Sequence, residues 1–245
     1  VDMLAARADL TELGSDYMDP YGIRMASAAN GWREATMVHS GRMPRALHFP
    51  KTTLWGWMYG HGSVNYWRYN YVVDIGINHK EALKQAYSMA NDLEAAGAWE
   101  ARPPKKIALL SSRRSLDWWQ IHAWWGEHED PRWDRGIEGQ RSWFADRAAF
   151  SILQDNGYPF RWLFLDREDH LDRLEGFDVL ILPFAYSISD RAAERIRAEA
   201  ERGSTIILMD GLAGPTDEWG RRRKEPVLQG LVDSGKAVLL EKDIL

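Results

Sequence analysis

Strand and helix patterns alternate along residues 106–240, and this alternation constrains the fold more than any other feature of the sequence. Helices are predicted at 142–156 and at 190–202, where Ser189 is a suitable N-cap and Gly203 a C-terminal stop. Five short apolar segments predict strands at residues 106–110, 160–165, 178–183, 204–209 and 237–240. This order is typical of a parallel sheet covered by helices on both faces, as in flavodoxin-like and Rossmann-like domains.

A second alternation, with fewer strands, occupies the first hundred residues. Strands are predicted at 9–15, 35–39 and 63–69, and a helix is predicted at 80–96. Three strand–helix units cannot close a barrel by themselves. Residues 1–100 are therefore predicted to be the C-terminal strands and helices of a (β/α)8 barrel whose other strands would precede this chain.

The helices predicted at 80–96 and 142–156 each have an apolar stripe. A linker separates the first hundred residues from the second region of alternating strands and helices. The helix at 80–96 carries its apolar side chains at Leu83, Ala86, Tyr87, Ala90 and Leu93. The helix at 142–156 carries them at Phe144, Ala148, Ala149, Ile152 and Leu153. Two prolines flanked by cations lie in 101–106, which predicts a boundary between a domain at 1–100 and another at 105–245.

The composition excludes several kinds of protein. The chain lacks cysteine, so a disulfide scaffold, a thiolate metal site and a cysteine nucleophile are excluded. The formal net charge of −5 disfavours a protein built mainly to hold nucleic acid. No apolar run reaches the roughly 20 residues of a membrane span, and no signal peptide is visible. A metal site built from His122, His128 and nearby carboxylates lacks recognisable ligand spacing, so we predict no resident metal. We also predict no cofactor and no nucleic-acid or membrane partner, and the cytoplasm is the favoured compartment.

Tryptophan is unusually frequent, at 13 of 245 residues. Indole rings either pack in cores or provide flat platforms for ligands such as sugars. The richest stretch runs from Trp118 and Trp119 to Trp125, and a helix there would place Trp118, His122 and Trp125 near one face. One interpretation is a stacking wall for a sugar, to which His122 or Asp117 would add a hydrogen bond. The other is packing against the first domain.

The second domain has no glycine-rich phosphate loop. Its first strand is followed by residues 111–115 (Ser-Ser-Arg-Arg-Ser), which disfavours nucleotide binding through a known loop. The layout resembles the class I glutamine amidotransferase-like fold, whose active members carry a nucleophilic cysteine after the third strand. The corresponding turn, residues 183–187, has none, and Ser187 has no evident histidine partner as a replacement nucleophile. The predicted fold class is therefore α/β, an incomplete (β/α) barrel end followed by a flavodoxin-like or amidotransferase-like parallel-sheet domain.

The sharpest signal is a run rich in glycine and aromatic residues in the first domain, at residues 54–69. Its glycines let a helix end tightly and pass into a buried strand. In a (β/α) barrel the carboxyl end of each strand faces the active site, so the aromatic and arginine residues that finish this strand would line the pocket. The substrate-binding candidates in this run are Trp55, Trp57, Tyr66, Trp67 and Arg68.

This run carries a resemblance to a known family. Residues 60–68 (Gly-His-Gly-Ser-Val-Asn-Tyr-Trp-Arg) look like the last barrel strand of glycoside hydrolase family 42, the β-galactosidase-type enzymes. Residues 106–119 are similar to the opening of that family's β-galactosidase trimerisation domain, and 177–183 and 202–208 resemble later parts of it. The motifs follow one another in the family's order from about Leu13 onward.

The resemblance implies a retaining glycosidase, in which two carboxylates about 5–5.5 Å apart act as acid/base and nucleophile. The family places the acid/base on barrel strand four, which this chain does not contain, so the chain alone is expected to be inactive. The nucleophile belongs on strand seven. If that strand is 35–39, its end holds His39, and the nearest carboxylate is Glu34 at the opposite end. Glu34 is the catalytic candidate, while His39 and Asp16 are substrate-binding candidates, although Asp16 fits a turn cap equally well.

Two other interpretations remain open. The chain could be a non-catalytic carbohydrate-binding or assembly module with an amidotransferase-like fold and a degenerate barrel remnant. It could also be an unrelated flavodoxin-like binding protein, against which the missing phosphate loop counts. The family resemblance further implies a carbohydrate substrate and a homo-oligomer, a trimer in the family, with residues 118–125 at the contact or at the sugar.

Overall fold

The computed structural model describes residues 13–15, 36–40, 63–66, 80–98, 101, 104–125 and 141–240. The chain divides into two compact units, Val1–Arg102 and Pro103–Leu245. The α/β class with a parallel sheet is confirmed. None of the helices in these ranges combines the length and the apolar character that crossing a membrane requires.

The described part of the first unit consists of three parallel strands and one helix. Strands β1 (Leu13–Ser15), β2 (Thr36–Ser40) and β3 (Ser63–Tyr66) pair in the order β1-β2-β3. Helix α1 (Lys80–Ala95) follows, and Gly97 lies just beyond its end with a φ of +64°, the left-handed conformation that glycine adopts without strain. All three predicted strands are present. Strands β1 and β3 are shorter than predicted, β2 has the predicted length but lies one residue later, and the helix matches its prediction to within one residue.

The second unit is built on a five-stranded parallel sheet. Its strands are β4 (Ile107–Ser111), β5 (Phe160–Phe164), β6 (Val179–Leu182), β7 (Thr205–Leu208) and β8 (Ala237–Leu239). They pair in the order β5-β4-β6-β7-β8, and every boundary lies within one residue of its prediction. The connecting helices are α2 (Arg113–Trp125), α3 (Arg141–Asp155), α4 (Glu168–Leu171), α5 (Asp190–Glu201) and α6 (Gln229–Asp233).

The central strands supply most of the core. Four consecutive residues of β4 are buried, so both faces of that strand are covered, whereas β6 and β7 bury every second residue and leave the residues between them partly buried or exposed. Leu109, Leu180, Leu182, Ile206 and Leu208 are all essentially inaccessible to solvent. Burying one leucine or isoleucine side chain contributes about 1.5–3 kcal/mol. A continuous apolar sequence with burial on both faces is typical of a strand inside a parallel sheet, and β4 shows both features.

Helix α5 begins and ends as its sequence predicts. The Ser189 hydroxyl accepts the N–H of Ala192 at 3.1 Å, which caps the first turn. At the other end Gly203 has a φ of +102°. Between these ends, Ala193 and Ile196 are buried in the same core cluster as the central strands, so the helix lies on the sheet through its small-residue face.

The buried face of α3 differs from its prediction. Phe144 and Ile152 are 45% and 50% exposed, although the spacing predicts both on the core face. The buried residues are Ser142, Ala145, Ala149, Phe150 and Leu153. The two stripes overlap, and small side chains at 142 and 145 let the helix approach the core closely. In α1, Tyr87 is likewise 59% exposed, whereas its neighbour Ala86 is buried.

Candidate functional site

Doubly wound sheets usually bind ligands at the carboxyl ends of the two strands where the winding direction changes. In this chain those strands are β4 and β6. The chain enters the sheet at β4 and adds β5 on one side and β6 on the other, so the direction of winding switches here. We call this region the β4 crevice. Its members are Ser111, Ser112, Ser115, Asp166 and Ser187.

Hydrogen bonds between the chain's own groups occupy the β4 crevice. The Ser115 hydroxyl donates to the Ser187 carbonyl at 3.0 Å and accepts the Ser187 N–H at 2.8 Å. The Ser112 hydroxyl lies 3.2 Å from the same carbonyl and 3.2 Å from a carboxylate oxygen of Asp166. These bonds fix the loop after β6 to the first turn of α2.

A carboxylate lies where related sheets hold a phosphate. Asp166 accepts the N–H of Arg113 at the start of α2, and a helix N-terminus attracts negative charge. Burial raises the pKa of Asp166, while the Arg113 N–H and the Arg114 guanidinium oppose that rise. A phosphate would have to displace this carboxylate, so the arrangement disfavours a nucleotide at this edge.

Ser187 has a structural role in the loop after β6. It is 2% exposed, and its hydroxyl donates to the carbonyl of Asp217. Its backbone forms a parallel bridge with Thr216. The hydroxyl proton is thus directed at a backbone carbonyl, which is not the arrangement of an activated nucleophile.

Five side chains from α2 and the loop after β6 form what we call the aromatic cluster. The ring of Trp119 lies 5.0 Å from Tyr186 and 5.5 Å from Phe184, edge to face in both cases. The ring of His122 lies 5.8 Å from Tyr186 and 5.9 Å from Trp118. The cluster therefore brings together both predicted substrate-binding tryptophans of this unit, each partly buried.

Trp118 is covered on one side by backbone of its own unit. A Cβ built on Gly220 would fall 2.3 Å from Trp118 Cδ2, so only glycine can lie against the indole there. The indole Nε1 donates to the Glu218 carbonyl at 3.2 Å. On this side Trp118 therefore packs against a loop of the second unit.

His122 and Tyr186 form the polar edge of the aromatic cluster. Nδ1 of His122 lies 2.7 Å from the Tyr186 hydroxyl. Burial lowers the pKa of His122, and the positive charge of Arg222 lowers it further. Burial also raises the pKa of Tyr186, which Arg222 partly offsets. Both groups are therefore neutral near pH 7, and the pair can share one hydrogen bond without charge separation.

An ion pair buttresses the other side of the aromatic cluster. Arg141, at the start of α3, forms a bidentate ion pair with Asp210. Its Nε lies 2.6 Å from Asp210 Oδ2, and its Nη2 donates to Asp210 Oδ1 at 2.7 Å. The guanidinium also lies 5.4 Å from the centre of the Trp119 ring, within cation–π range. Asp210 has a φ of +61° in the turn after β7, a conformation that non-glycine residues rarely adopt.

Asp146 on α3 is a half-buried carboxyl group that is hydrogen-bonded to Ser111 of the β4 crevice. Burial raises its pKa to about 7, and a hydrogen bond from the Ser111 hydroxyl opposes the rise. Ser111 in turn accepts the indole N–H of Trp162 at 2.8 Å. Sequence reasoning missed this residue, as it missed Arg141, Asp166, Tyr186 and Asp210. The available signal was a single aspartate inside the apolar stripe of α3.

The first unit contains the other predicted site residues. His39 pairs with Asn65 and Ser40 with Tyr66 in the parallel register of β2 and β3. His39 and Tyr66 thus lie toward the same, carboxyl edge of that sheet. The remaining candidates, Glu34, Asp16, Trp55, Trp57, Trp67 and Arg68, lie outside the described residues, so their roles stay predictions.

The metal hypothesis gains no support from the described part of the chain. There, no three side chains of histidine, cysteine, aspartate or glutamate type lie close enough together to hold an ion. Of the two histidines considered, His122 belongs to the aromatic cluster and His128 lies outside the described residues.

Comparison with known proteins finds similar structures but no similar sequences. No protein-family model and no curated protein sequence matches the chain. A β-galactosidase from Rahnella sp. R3 aligns with a TM-score of 0.65 at 15% identity, over 94% of this chain and 38% of that one. A β-galactosidase from Bacillus circulans sp. alkalophilus aligns at 0.62 and 11% identity, over 94% and 37%. An exo-carrageenase of glycoside hydrolase family 42 from Bacteroides ovatus aligns at 0.56 and 12% identity, over 91% and 31%.

The likeness is one of fold. These alignments support the predicted fold, which is like that of family 42 β-galactosidases. The chain spans only about a third of the length of these structures. The activities named for these proteins also differ, so the fold identifies neither the sugar nor the reaction of this chain.

Proposed function

We propose that the chain is part of a retaining glycoside hydrolase that acts on β-galactosides or related sugars. The observation that supports this most is the alignment with the Rahnella β-galactosidase over 94% of the chain, at a TM-score of 0.65. The order of motifs resembling family 42 along the sequence is a separate argument for the same function. In this proposal residues 1–100 are the end of the barrel and 105–245 the trimerisation domain.

The proposed chemistry needs two carboxylates, and we assign one of them to this chain. Glu34 is the proposed nucleophile, just before β2, with His39 and Tyr66 on the carboxyl edge as substrate contacts. The acid/base would come from a strand that precedes the chain. The 245 residues alone are therefore proposed to be inactive.

Hydrolysis of a panel of nitrophenyl glycosides, including the β-galactoside, tests the proposal. The 245-residue chain is compared with the same chain extended by the residues encoded before Val1. We expect activity only in the extended chain, and we expect Glu34→Gln to lower its kcat by about a thousandfold or more. Glu81→Gln is the matched control, because Glu81 is an exposed α1 residue paired with Lys84 at 2.8 Å. Equal activity of the two chains would contradict the need for an upstream acid/base.

A non-catalytic binding or assembly module is the second candidate function. It is favoured by the aromatic cluster, whose two tryptophans remain partly exposed. Failure of both chains to hydrolyse any glycoside, combined with retention of the short chain on immobilised galactan, would support this candidate over the first.

Self-association is proposed under either function. Phe144 and Ile152 present large apolar side chains on the outer face of α3, where a second copy could bury them. Light scattering after size exclusion should then give the mass of a homo-oligomer, a trimer if the resemblance extends to assembly. The substitution Phe144→Glu with Ile152→Glu should lower that mass, whereas Tyr158→Glu, at a similarly exposed site, should not.

A further inference from the structure

A tight turn beside the aromatic cluster displays a tryptophan to solvent. We call residues 217–221 the Trp219 turn. A carboxylate oxygen of Asp217 accepts the N–H groups of Trp219 and Arg221, both at 2.9 Å. The Asp217 N–H donates to the Arg221 carbonyl at 3.0 Å, and Thr216 and Arg222 close the turn with an antiparallel bridge. The turn is therefore fixed by its own hydrogen bonds.

The Trp219 turn holds the Trp219 side chain in solvent. Its side chain is 63% exposed, the highest value among the large exposed hydrophobic residues of the described chain. The neighbouring Gly220 holds the turn against the Trp118 indole with a φ of +73°. An indole that is held out in water on a fixed backbone loses little conformational freedom when it binds a ligand, which favours affinity.

A run of cations follows Trp219 after one glycine. Residues 221–224 read Arg-Arg-Arg-Lys, and Arg221, Arg222 and Lys224 are exposed. Arg223 is turned inward, where it donates to the Ile188 carbonyl at 3.0 Å and pairs with Asp190 at 2.7 Å. The three exposed cations therefore lie within five positions of Trp219 in the sequence.

The basic surface continues into a cavity of about 710 Å³. Lys224, Arg197 and Lys236 line this cavity, together with the carboxylates Glu201 and Glu225. Lys236 pairs with Glu201, and Arg197 donates to a backbone carbonyl. Four cations, including Arg223, line the cavity against two carboxylates, so its charge balance is positive.

We propose that the Trp219 turn and its cations bind a carbohydrate that carries carboxylate or sulfate groups. The indole face packs against the apolar face of one sugar ring, while Arg221 and Arg222 donate to the anionic substituents. Lys224 extends the positive surface toward the cavity for a neighbouring sugar. The proposed binding does not depend on hydrolysis.

The observations favour an acidic sugar over a nucleic acid. Proteins that hold single-stranded nucleic acid combine a continuous cationic groove with successive aromatic side chains. The Trp219 turn presents one indole between acidic and basic neighbours, on a chain with a formal net charge of −5. That pattern fits one ring with one or two anionic substituents.

Affinity electrophoresis of the 245-residue chain tests the proposal. The gels contain polygalacturonate, chondroitin sulfate or neutral galactan, and an oligothymidylate is titrated separately by fluorescence anisotropy. Trp219→Ala removes the platform, and Arg221→Gln with Arg222→Gln removes the guanidiniums. The matched controls are Tyr158→Ala, an exposed aromatic at 55%, and Arg191→Gln with Arg195→Gln on the surface of α5. Near-UV circular dichroism checks that each variant is folded.

We expect retardation by one or both acidic polysaccharides and none by neutral galactan. Trp219→Ala should weaken binding about tenfold, within the range that one stacked aromatic contributes. The double arginine variant should weaken it by at least as much, and added salt should weaken the wild-type interaction. The controls should bind like the wild type. Absence of retardation, unchanged binding by Trp219→Ala, or tighter binding of oligothymidylate than of either polysaccharide would overturn the proposal.

Discussion

The β4 crevice and the aromatic cluster lie side by side at the same edge of the second sheet, and their side chains are used in opposite ways. In the crevice, Ser115, Ser112 and Asp166 direct their polar atoms at backbone groups and at one another. In the aromatic cluster, Trp119 and Tyr186 pack edge to face, while an arginine and a histidine remain at the rim.

This difference indicates where the second unit can bind a ligand. A crevice whose donors and acceptors are mutually satisfied gains little from a ligand, because each new hydrogen bond replaces an existing one. Partly exposed aromatic rings with polar rims still have surface to bury. Ligand binding is therefore expected at the aromatic side of the edge and at the adjoining Trp219 turn.

Breaking the ion pair beside the aromatic cluster should have the largest effect on stability. Arg141→Gln leaves the Asp210 carboxylate, which is 6% exposed, without its guanidinium partner. We expect the free energy of unfolding to fall by about 3 kcal/mol, the lower end of the cost of such a break. Urea denaturation measures it.

The double variant controls for the buried charge. Arg141→Gln combined with Asp210→Asn removes both charges and should recover more than half of the lost stability. If the double variant is as unstable as the single one, the cost comes from lost packing on Trp119 and not from an uncompensated carboxylate.

Opening the β4 crevice should have the next largest effect. Ser115→Ala removes the hydroxyl that both donates to and accepts from Ser187, which leaves two buried backbone groups without that partner. The expected loss is about 2 kcal/mol in the free energy of unfolding. Ser234→Ala, at an exposed helix end, should cost at most about 0.5 kcal/mol. Equal losses for the two variants would contradict the crevice's structural role.

Removing the polar edge of the aromatic cluster should cost less. Tyr186→Phe keeps the ring contacts with Trp119 but deletes the hydroxyl that lies 2.7 Å from His122. We expect a loss of about 1 kcal/mol, measured by thermal unfolding. Tyr158→Phe on the exposed surface is the control and should leave Tm unchanged. A loss similar to that of Arg141→Gln would contradict this order, because the hydroxyl would then stabilise the cluster as much as the ion pair does.

The smallest expected effect is a difference in pH dependence between the two regions. The pKa of His122 is lowered in the folded protein, so the unfolded chain binds its proton first, and stability is lost as pH falls below about 6.5. The pKa of Asp166 is raised, so its contribution to stability is lost instead as pH rises above the unfolded value of 3.8.

Two variants separate these opposite dependences. His122→Asn should lose less stability between pH 7 and pH 5 than the wild type does. Asp166→Asn should lose less than the wild type between pH 4 and pH 6. Tm measured across these ranges checks both, and matching slopes in wild type and variants would show that neither group titrates differently on folding.

Much of the fold was predictable because it depends on local patterns. Continuous apolar runs predicted the five strands of the second sheet, and Ser189 and Gly203 marked the ends of α5. The face of α3 was not predictable in the same way. Phe144 and Ile152 are more apolar than Ser142 and Ala145, yet the smaller pair is buried because close packing depends on the shape of the partner surface.

The candidate site was less predictable because its contacts are long-range. Ser115 and Ser187 are 72 positions apart, and no pattern in the sequence joins them. Trp118 and Trp119 could be named from the tryptophan pair, but their partners Gly220 and Tyr186 come from loops after β7 and β6. Sequence reasoning thus identifies the aromatic side chains but not the surfaces against which they pack.

Covalent trapping tests the proposed glycosidase function most directly. A retaining enzyme forms a glycosyl ester with its nucleophile. When the substrate is a 2-deoxy-2-fluoro-β-galactoside with an activated leaving group, this ester accumulates because the fluorine slows hydrolysis of the ester. The account predicts that the extended chain gains the mass of one fluorogalactosyl group on the peptide that contains Glu34, and that Glu34→Gln gains none. No mass gain, or a label on a different carboxylate, would contradict it.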